Sequence, residues 1–253
     1  MANNKKYFFG NTEVTKEAKV KQVKDVFNSV AEKYDIMNDV LSLGTHRIWK
    51  AKLVNSVSAL TPSKKQFNYL DLACGTGDIG YKLLEKKSKN INVFMMDINE
   101  AMIGQAIKRA EYKNFKESIN FMVSDAENIP LATNSMDCVT IAFGIRNVAS
   151  IERALCEINR VLCYGGKFFC LEFSKVEISL VRKFYDFYSR NIIPEIGSIV
   201  AKDRNSYRYL VESIERFPKQ EELTNLFTKS GFIHSKYTNL SGGIASIHSG
   251  WKI

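Results

Sequence analysis

Glycines and acidic residues are concentrated in residues 70–80, which read LDLACGTGDIG. An apolar run typical of a buried strand precedes them, and a helical pattern follows. Gly75 and Gly77 let the backbone approach a ligand closely and adopt conformations that residues with side chains resist. This combination predicts a nucleotide cofactor at the turn between the strand and the helix.

Two further carboxylates follow the next two predicted strands. Asp97 ends the second strand, 20 positions after Gly77, where an acidic side chain can accept hydrogen bonds from both ribose hydroxyls. Asp125 follows the third strand and is a candidate acceptor for the exocyclic amine of adenine. Taken alone, each carboxylate is equally well interpreted as a cap or turn residue. Together, at the ends of successive strands, they favour S-adenosylmethionine (SAM) as the cofactor.

A dinucleotide is the competing cofactor, because residues 75–80 (GTGDIG) also satisfy the GxGxxG fingerprint. Asp71 argues against it, since a carboxylate among apolar neighbours is costly to bury without partners. Asp71 either orders the glycine turn or faces a positively charged group of the ligand. SAM has such a group, its sulfonium, whereas the pyrophosphate of a dinucleotide is negatively charged. Asp78 already places an anion at the helix N-terminus, where a diphosphate would bind. An NAD-dependent oxidoreductase remains the alternative of a different class.

Strand and helix patterns alternate from residue 67 onwards. The alternation predicts a parallel, doubly wound sheet, and two apolar runs joined by the turn 240–243 predict a closing antiparallel hairpin. The predicted strands are Phe67–Ala73, Ile91–Asp97, Ile119–Val123, Asp137–Phe143, Lys167–Phe173, Phe232–Asn239 and Gly243–Trp251. The predicted helices are Ile79–Lys87, Ala101–Tyr112, Ile151–Leu162, Ile178–Ile192 and Glu221–Lys229, with an irregular stretch before the last.

Helical spacing of apolar residues in 14–30 and 40–60 predicts a helical lid before the sheet. The whole arrangement, a seven-stranded, mostly parallel sheet with a C-terminal antiparallel hairpin, resembles the class I SAM-dependent methyltransferase fold. No repeat, low-complexity tract or linker divides the chain, so we predict one α/β domain over 1–253. Within it, 1–65 is the N-terminal lid, 66–175 the cofactor-binding core, and 176–253 the substrate-side helices and closing hairpin.

The composition of the 253 residues, 45% hydrophobic and 25% charged, is that of an ordinary globular protein. Five cysteines without a CxxC pair and three histidines far apart in sequence predict reduced thiols and no metal site. No apolar run is long enough for a membrane helix or a signal peptide. We therefore expect a cytoplasmic protein.

The net charge of +9 is carried by the flanks of the chain. Residues 1–65 contain twelve Lys and Arg against six Asp and Glu, residues 66–175 thirteen against thirteen, and residues 176–253 eleven against eight. Such an excess attracts nucleic acid, an anionic membrane surface or an anionic ligand, but a lysine-rich solvated face is an equally good interpretation. No RRM or KH motif supports nucleic-acid binding, so we expect no nucleic-acid partner.

Residues 34–49, YDIMNDVLSLGTHRIW, resemble the N-terminal signature of the ubiquinone/menaquinone biosynthesis C-methyltransferases. Residues 160–166 (RVLCYGG) and 171–174 (LEFS) resemble the second signature of that family, and residues 143–148, 193–194, 206–210 and 250–251 extend the likeness over nearly the whole chain from about Val26. Departures are Cys74, Cys163-Tyr164 and Ala142, which stands where many members have a cofactor-contacting serine. Thr76, Asp97, Asp125 and Ala126 match the family's cofactor positions.

The resemblance implies transfer of a methyl group from SAM to a ring carbon of a polyprenylated quinol. Demethylmenaquinol to menaquinol is the first expectation, as in a demethylmenaquinone methyltransferase, and the ubiquinone-pathway benzoquinol or another small aromatic substrate is the alternative. A polyprenyl tail must be reached from a bilayer, so we expect peripheral contact with an anionic membrane at its inner face, through the basic flanks and apolar faces of the N-terminal helices and of 178–200. A homodimer is compatible with the sequence.

Three residues are candidates for the chemistry. Arg146, directly after the fourth strand, is the first choice for a charged group that stabilises the quinol anion or holds a water that accepts its proton, and a structural ion pair is the alternative. Asn147 either orients the water or the substrate, or caps the following helix. Tyr34 carries a phenolic hydroxyl that either reaches the cofactor or quinol from the lid or packs in the core.

Overall fold

The computed structural model describes residues 6–30, 38–40, 42–62, 65–87, 90–177, 188 and 204–253. Its strands are β1 (Tyr7–Phe9), β2 (Thr12–Val14), β3 (Phe67–Leu72), β4 (Ile91–Asp97), β5 (Ile119–Val123), β6 (Met136–Ala142), β7 (Leu162–Phe173), β8 (Ile233–Leu240) and β9 (Ala245–Trp251). Its α-helices are α1 (Lys16–Val30), α2 (His46–Ser58), α3 (Asp78–Lys86), α4 (Glu100–Tyr112), α5 (Ile151–Val161), α6 (Arg204–Arg216) and α7 (Gln220–Lys229).

Seven strands form one sheet in the order β5-β4-β3-β6-β7-β9-β8. The first five of these pair in parallel, and β9 pairs antiparallel with both β7 and β8. From β3 the chain continues to strands on one side, and from β6 to strands on the other. The loops after β3 and β6 therefore run in opposite directions and leave a crevice at the carboxyl ends of these strands, where ligands of such sheets bind. The predicted sheet, including its closing hairpin, is confirmed.

Apolar side chains fill both faces of the sheet because parallel strands covered by helices are buried on each side. One core packs α2 and α3 against residues such as Tyr69, Val93 and Leu171. The other packs α5 and α7 against residues such as Leu70 and Phe168. The helices are thereby fixed to the sheet whose carboxyl ends carry the site.

Two elements differ from the sequence-based expectation. Residues 204–216, predicted as irregular, form helix α6, and residues 7–14 form the small hairpin β1–β2. The hairpin packs on α6, where Phe9 stacks on Tyr209 with ring centroids 4.1 Å apart. Each element is stabilised by the other, a tertiary effect that local patterns do not report. The predicted helix Ile178–Ile192 lies outside the described residues except for Tyr188.

In the described residues, no helix combines the length and the apolar character needed to cross a bilayer.

Candidate active site

The crevice between β3 and β6 opens into a pocket. The residues that directly follow these two strands, Ala73 and Phe143, both have left-handed backbones, with φ of 52° and 58°. Such backbone conformations are uncommon outside glycine and cluster at functional sites. Both residues line the pocket, together with Gly144, whose Cα lies so close to Ala73 that an added Cβ would be 2.6 Å from the Ala73 Cβ.

The glycine turn has a backbone conformation that lets helix α3 begin, and the lack of side chains at its glycines lets neighbouring groups approach the backbone closely. Gly77 has φ of 81° and precedes the helix, and a Cβ there would lie 2.6 Å from the Tyr81 ring. Gly75 lines the pocket, and its N–H donates a hydrogen bond to Asp97 Oδ2 at 2.8 Å. Gly80 packs against Met95 and donates its N–H to Asp71. The third glycine of the fingerprint therefore serves helix–strand packing.

The floor of the pocket consists of the residues at the carboxyl ends of β3, β4, β5 and β6, and Asp97 is one of them. Its Oδ1 accepts the N–H of Asn99 at 2.9 Å while its Oδ2 accepts that of Gly75. Burial raises the pKa of Asp97, and hydrogen bonds from the backbone, those of Asn99 and Gly75 among them, partly offset this effect. A carboxylate retains further lone pairs beyond these two hydrogen bonds. Its oxygens can thus still accept hydrogen bonds from ribose hydroxyls.

Asp125 and Ala126 line the same pocket, on the loop after β5. The Asp125 Oδ1 accepts the N–H of Glu127 at 2.9 Å, which fixes the loop as a tight turn. The Glu127 carboxylate in turn accepts the Ser150 N–H at 2.7 Å and pairs with Lys16 at 2.7 Å. The loops after β5 and β6 are therefore joined to each other and to α1.

Three predicted cofactor residues do not line the pocket, namely Asp71, Thr76 and Gly77. Asp71 is buried and accepts hydrogen bonds from the Gly80 N–H at 3.0 Å and the Thr140 hydroxyl at 3.3 Å. These contacts fit the first of the two roles expected for Asp71, the ordering of the glycine turn. They do not fit the second role, in which the carboxylate faces a positively charged ligand. Burial raises the pKa of Asp71 to about 7. The Thr76 hydroxyl accepts a 3.4 Å hydrogen bond from Arg109.

The charge of Asp78 is neutralised within the protein. Its carboxylate pairs with Lys50 at 3.0 Å and with Lys82 at 2.6 Å. Although burial alone would raise it, the two ammonium groups hold the pKa of Asp78 below its ordinary range. The carboxylate at the N-terminus of α3 is therefore bound by two lysines of the protein itself.

Arg146 forms a buried ion pair, which is one of the two roles expected from the sequence. Its Nη1 lies 2.6 Å from Glu172 Oε1 and 2.7 Å from the Phe143 carbonyl oxygen, and both charged side chains are almost fully buried. Burial raises the pKa of Glu172 even though the arginine opposes this effect. Arg146 is not among the residues that line the pocket. Its side chain lies behind the loop formed by residues 143–147 and holds that loop in place through the Phe143 carbonyl oxygen.

Asn147 does line the pocket, and its side chain is oriented from behind. The Tyr209 hydroxyl donates a 2.9 Å hydrogen bond to Asn147 Oδ1. With its oxygen occupied, the amide leaves its two N–H donors for a ligand. The third candidate, Tyr34, lies outside the described residues.

Sequence reasoning missed the outer wall of the pocket. Helix α1 contributes Val20, Val23, Lys24 and Phe27, which follow each other at i, i+3, i+4 and i+7. That spacing predicts one helical face, but not whether a core or a ligand covers it. Among the described residues, no cluster of three or more potential metal ligands occurs.

The model of the ubiE/COQ5 methyltransferase family matches residues 13–252. The chain is 49% identical to a "Ubiquinone/menaquinone biosynthesis C-methyltransferase UbiE" from Methylobacterium nodulans over 97% of this chain and 96% of the relative. It is 46% identical to a protein of the same name from Brucella suis, over 97% and 90%.

Solved structures of SAM-dependent methyltransferases share the fold. One from Thermotoga maritima superimposes with a TM-score of 0.62 at 22% identity, over 91% of this chain and all of the other. One from Aquifex aeolicus gives 0.58 at 16% identity, over 79% and 89%. These findings set aside the NAD-dependent alternative and confirm SAM as the methyl donor. The chain belongs to the ubiE/COQ5 methyltransferase family.

Proposed function

We propose that this methyltransferase transfers the SAM methyl group to a ring carbon of a polyprenylated quinol, with demethylmenaquinol as its substrate. The observation that carries the proposal is the 46–49% identity, over 97% or more of the chain, to curated relatives that are named for ubiquinone/menaquinone biosynthesis. In this proposal Asp97 binds the ribose, Asp125 and Ala126 bind the adenine, and the backbone at Gly75 approaches the methionine part of SAM.

The chemistry requires a more nucleophilic ring. A quinol carbon attacks the methyl group well only when the neighbouring hydroxyl has lost or is losing its proton. A phenol titrates near pH 10, and lowering that value by about three units takes about 4 kcal/mol of differential stabilisation. Because the pocket is largely apolar, a fixed hydrogen-bond donor at the developing oxyanion contributes much of this energy.

Asn147 is the group that we propose beside the quinol oxygen. Asn147 lines the pocket, and Tyr209 fixes the amide orientation through the 2.9 Å hydrogen bond to Oδ1. Arg146 acts through Asn147 as a positioning residue, since its guanidinium holds the Phe143 carbonyl and its charge is compensated by Glu172. Tyr34 remains a candidate for contact from the lid.

The experiment is a steady-state comparison of Asn147→Ala and Tyr209→Phe. Loss of one oxyanion donor typically lowers kcat about 100-fold or more, so Asn147→Ala should do so while the affinity for SAM changes little. Tyr209→Phe leaves the amide in place but unfixed, and should lower kcat by a smaller factor. Unchanged turnover in folded Asn147→Ala would reject the assignment.

The choice of quinol is tested with both substrate classes. Demethylmenaquinol and the ubiquinone-pathway benzoquinol, each with a short prenyl tail, are supplied with SAM, and the ring-carbon methyl is detected by mass spectrometry. Methylation of the naphthoquinol at the higher kcat/KM supports the proposal, and methylation of the benzoquinol alone overturns it. Lipids extracted from cells that lack the protein should accumulate demethylmenaquinone.

We further propose that the protein meets its lipid-soluble substrate at an anionic membrane surface. Two contacts show that helices α2 and α3 run in the same direction. Lys50 of α2 pairs with Asp78 at the start of α3, and Asn55, later in α2, contacts Lys86 at the end of α3. The start of α2 is thus at the edge of the sheet where the pocket opens. Leu43 and Ile48, 55% and 70% exposed, lie there beside basic residues, a pattern that favours an anionic interface.

Vesicle sedimentation tests the membrane proposal. Leu43→Gln/Ile48→Gln should weaken retention on vesicles of phosphatidylglycerol and phosphatidylcholine at low salt. Tyr164→Gln is the matched control, because Tyr164 is 73% exposed but lies at the start of β7, on the opposite edge. If the wild-type protein is not retained, or if the control loses as much retention, this surface does not contact the membrane.

A further inference from the structure

Asn99 joins the floor of the pocket to its outer wall. The residue is 3% exposed and lies on the loop between β4 and α4, two positions after Asp97. Its Oδ1 accepts the Met102 N–H at 3.1 Å and so caps helix α4. Its Nδ2 donates to the Lys24 carbonyl oxygen at 3.2 Å and to Asn28 Oδ1 at 2.9 Å, both on α1.

Capping of helix α4 does not by itself require asparagine at position 99. A helix N-cap needs one side-chain oxygen, which Ser, Thr or Asp supplies as well as Asn. Only an amide adds a nitrogen with two donors, and here both are used on α1. Asn99 therefore combines two functions, one toward the cofactor loop and one toward the helix that covers it.

The contacted turn of α1 is the one that faces the pocket. Lys24 and Asn28 lie on either side of Phe27, and Val23, Lys24 and Phe27 line the pocket opposite Asp97. The Asn99 backbone N–H meanwhile holds Asp97 Oδ1. One residue therefore sets both the orientation of the proposed ribose ligand and the distance of the wall that encloses it.

We propose that Asn99 is a positioning residue that couples cofactor binding at Asp97 to closure of α1 over the pocket. Release of the cofactor then requires α1 to separate from Asn99, so the two amide hydrogen bonds set the residence time of SAM. This inference rests on the cofactor placement proposed above, but not on the identity of the methyl acceptor.

The decisive variant is Asn28→Ala, which removes a partner of Asn99 without touching the cofactor loop. Asn28 is exposed on a helix, and alanine is the best helix former, so the fold should be retained. We expect labelled SAM to dissociate about two- to tenfold faster, the change in an equilibrium constant that one lost hydrogen bond brings. Asn205→Ala, which removes an exposed helical asparagine that accepts a hydrogen bond from nearby Arg208, should not change this rate.

A double-mutant cycle separates coupling from capping. Asn99→Ser keeps a cap oxygen and loses the amide donors, and combined with Asn28→Ala it should accelerate dissociation by less than the product of the single effects. Hydrogen exchange in residues 20–28 should slow when SAM binds to the wild type, and slow less in Asn28→Ala. Multiplicative effects, or an unchanged rate in Asn28→Ala, would overturn the proposal.

Asp97→Ala distinguishes the two levels of inference. If this variant still binds SAM normally, the cofactor placement itself fails. If it loses SAM while Asn28→Ala behaves like the wild type, the placement stands and only the coupling fails. All of these measurements use SAM alone and are independent of any quinol.

Discussion

The floor and the outer wall of the pocket are held by different interactions. The floor is made of strand ends in a continuous sheet, and its polar groups, such as the Arg146–Glu172 pair, are buried. The wall is helix α1, which packs Val23 and Val26 into one core and is also attached by polar contacts, including Lys16–Glu127, in which the lysine is 29% exposed. Buried groups are costly to unpair, whereas exposed pairs contribute little.

This difference predicts two kinds of variant. Changes in the floor should lower the free energy of unfolding, because each removes a partner inside the core. Changes in the polar contacts of the wall should leave that energy nearly constant and alter the rate at which the cofactor enters and leaves. Two results would contradict this difference. One is a floor variant that changes only the rate of ligand exchange, and the other is a variant of a polar wall contact that strongly lowers the free energy of unfolding.

The largest effect is expected for Glu172→Ala. It leaves the Arg146 guanidinium buried without its counter-ion, which typically costs about 3–5 kcal/mol of unfolding free energy. Denaturant unfolding measures the loss, and Glu221→Ala, on the exposed surface of α7, should cost far less. The double variant Arg146→Met/Glu172→Leu should recover most of the stability, since it removes both charges. Equal losses in the single and double variants would contradict this account.

A second floor effect depends on pH. Because the Asp71 pKa is raised to about 7 in the folded state, the carboxyl stabilises the protein at low pH, and this contribution is lost as the pH rises through 7. Between pH 5.5 and 8 the loss is about 2 kcal/mol. Asp71→Asn keeps an acceptor for Gly80 and should remove this part of the pH dependence in urea unfolding. Parallel pH profiles of the wild type and variant would contradict the prediction.

The floor was predictable from the sequence and the wall was not. Gly75, Asp97 and Asp125 follow strands whose order is fixed by βαβ handedness, so their meeting at one edge follows from local patterns. The partner of Arg146 could not be identified from the sequence, because Glu172 is 26 positions away and faces it only after β6 and β7 pair. Asn99 was missed because an N-cap asparagine is common, and its contact with α1 spans 71 residues.

A smaller floor effect should follow from the tight contact between the ends of β3 and β6. The Cβ of Gly144→Ala would lie 2.6 Å from that of Ala73, and such overpacking typically costs about 1–3 kcal/mol. Gly104→Ala is the matched control, since its Cβ meets nothing within 4 Å and a helical alanine should stabilise by about 0.5–1 kcal/mol. Thermal unfolding compares the two, and shifts of the same sign would be inconsistent with the packing argument.

The smallest effect is expected at the wall, for Lys16→Ala. The lysine is partly exposed, and Glu127 keeps the Ser150 N–H as a partner, so the free energy of unfolding should fall by less than about 1 kcal/mol. The loss of one attachment of α1 should raise the KM for SAM at low salt. At about 1 M salt, where the Debye length is about 3 Å, the difference from the wild type should shrink. Lys6→Ala, which breaks the exposed Lys6–Glu13 pair on the β1–β2 hairpin, should change neither quantity. A salt-independent effect of Lys16→Ala would show that the Lys16–Glu127 ion pair does not attach α1, and the contrast between floor and wall would then fail at this contact.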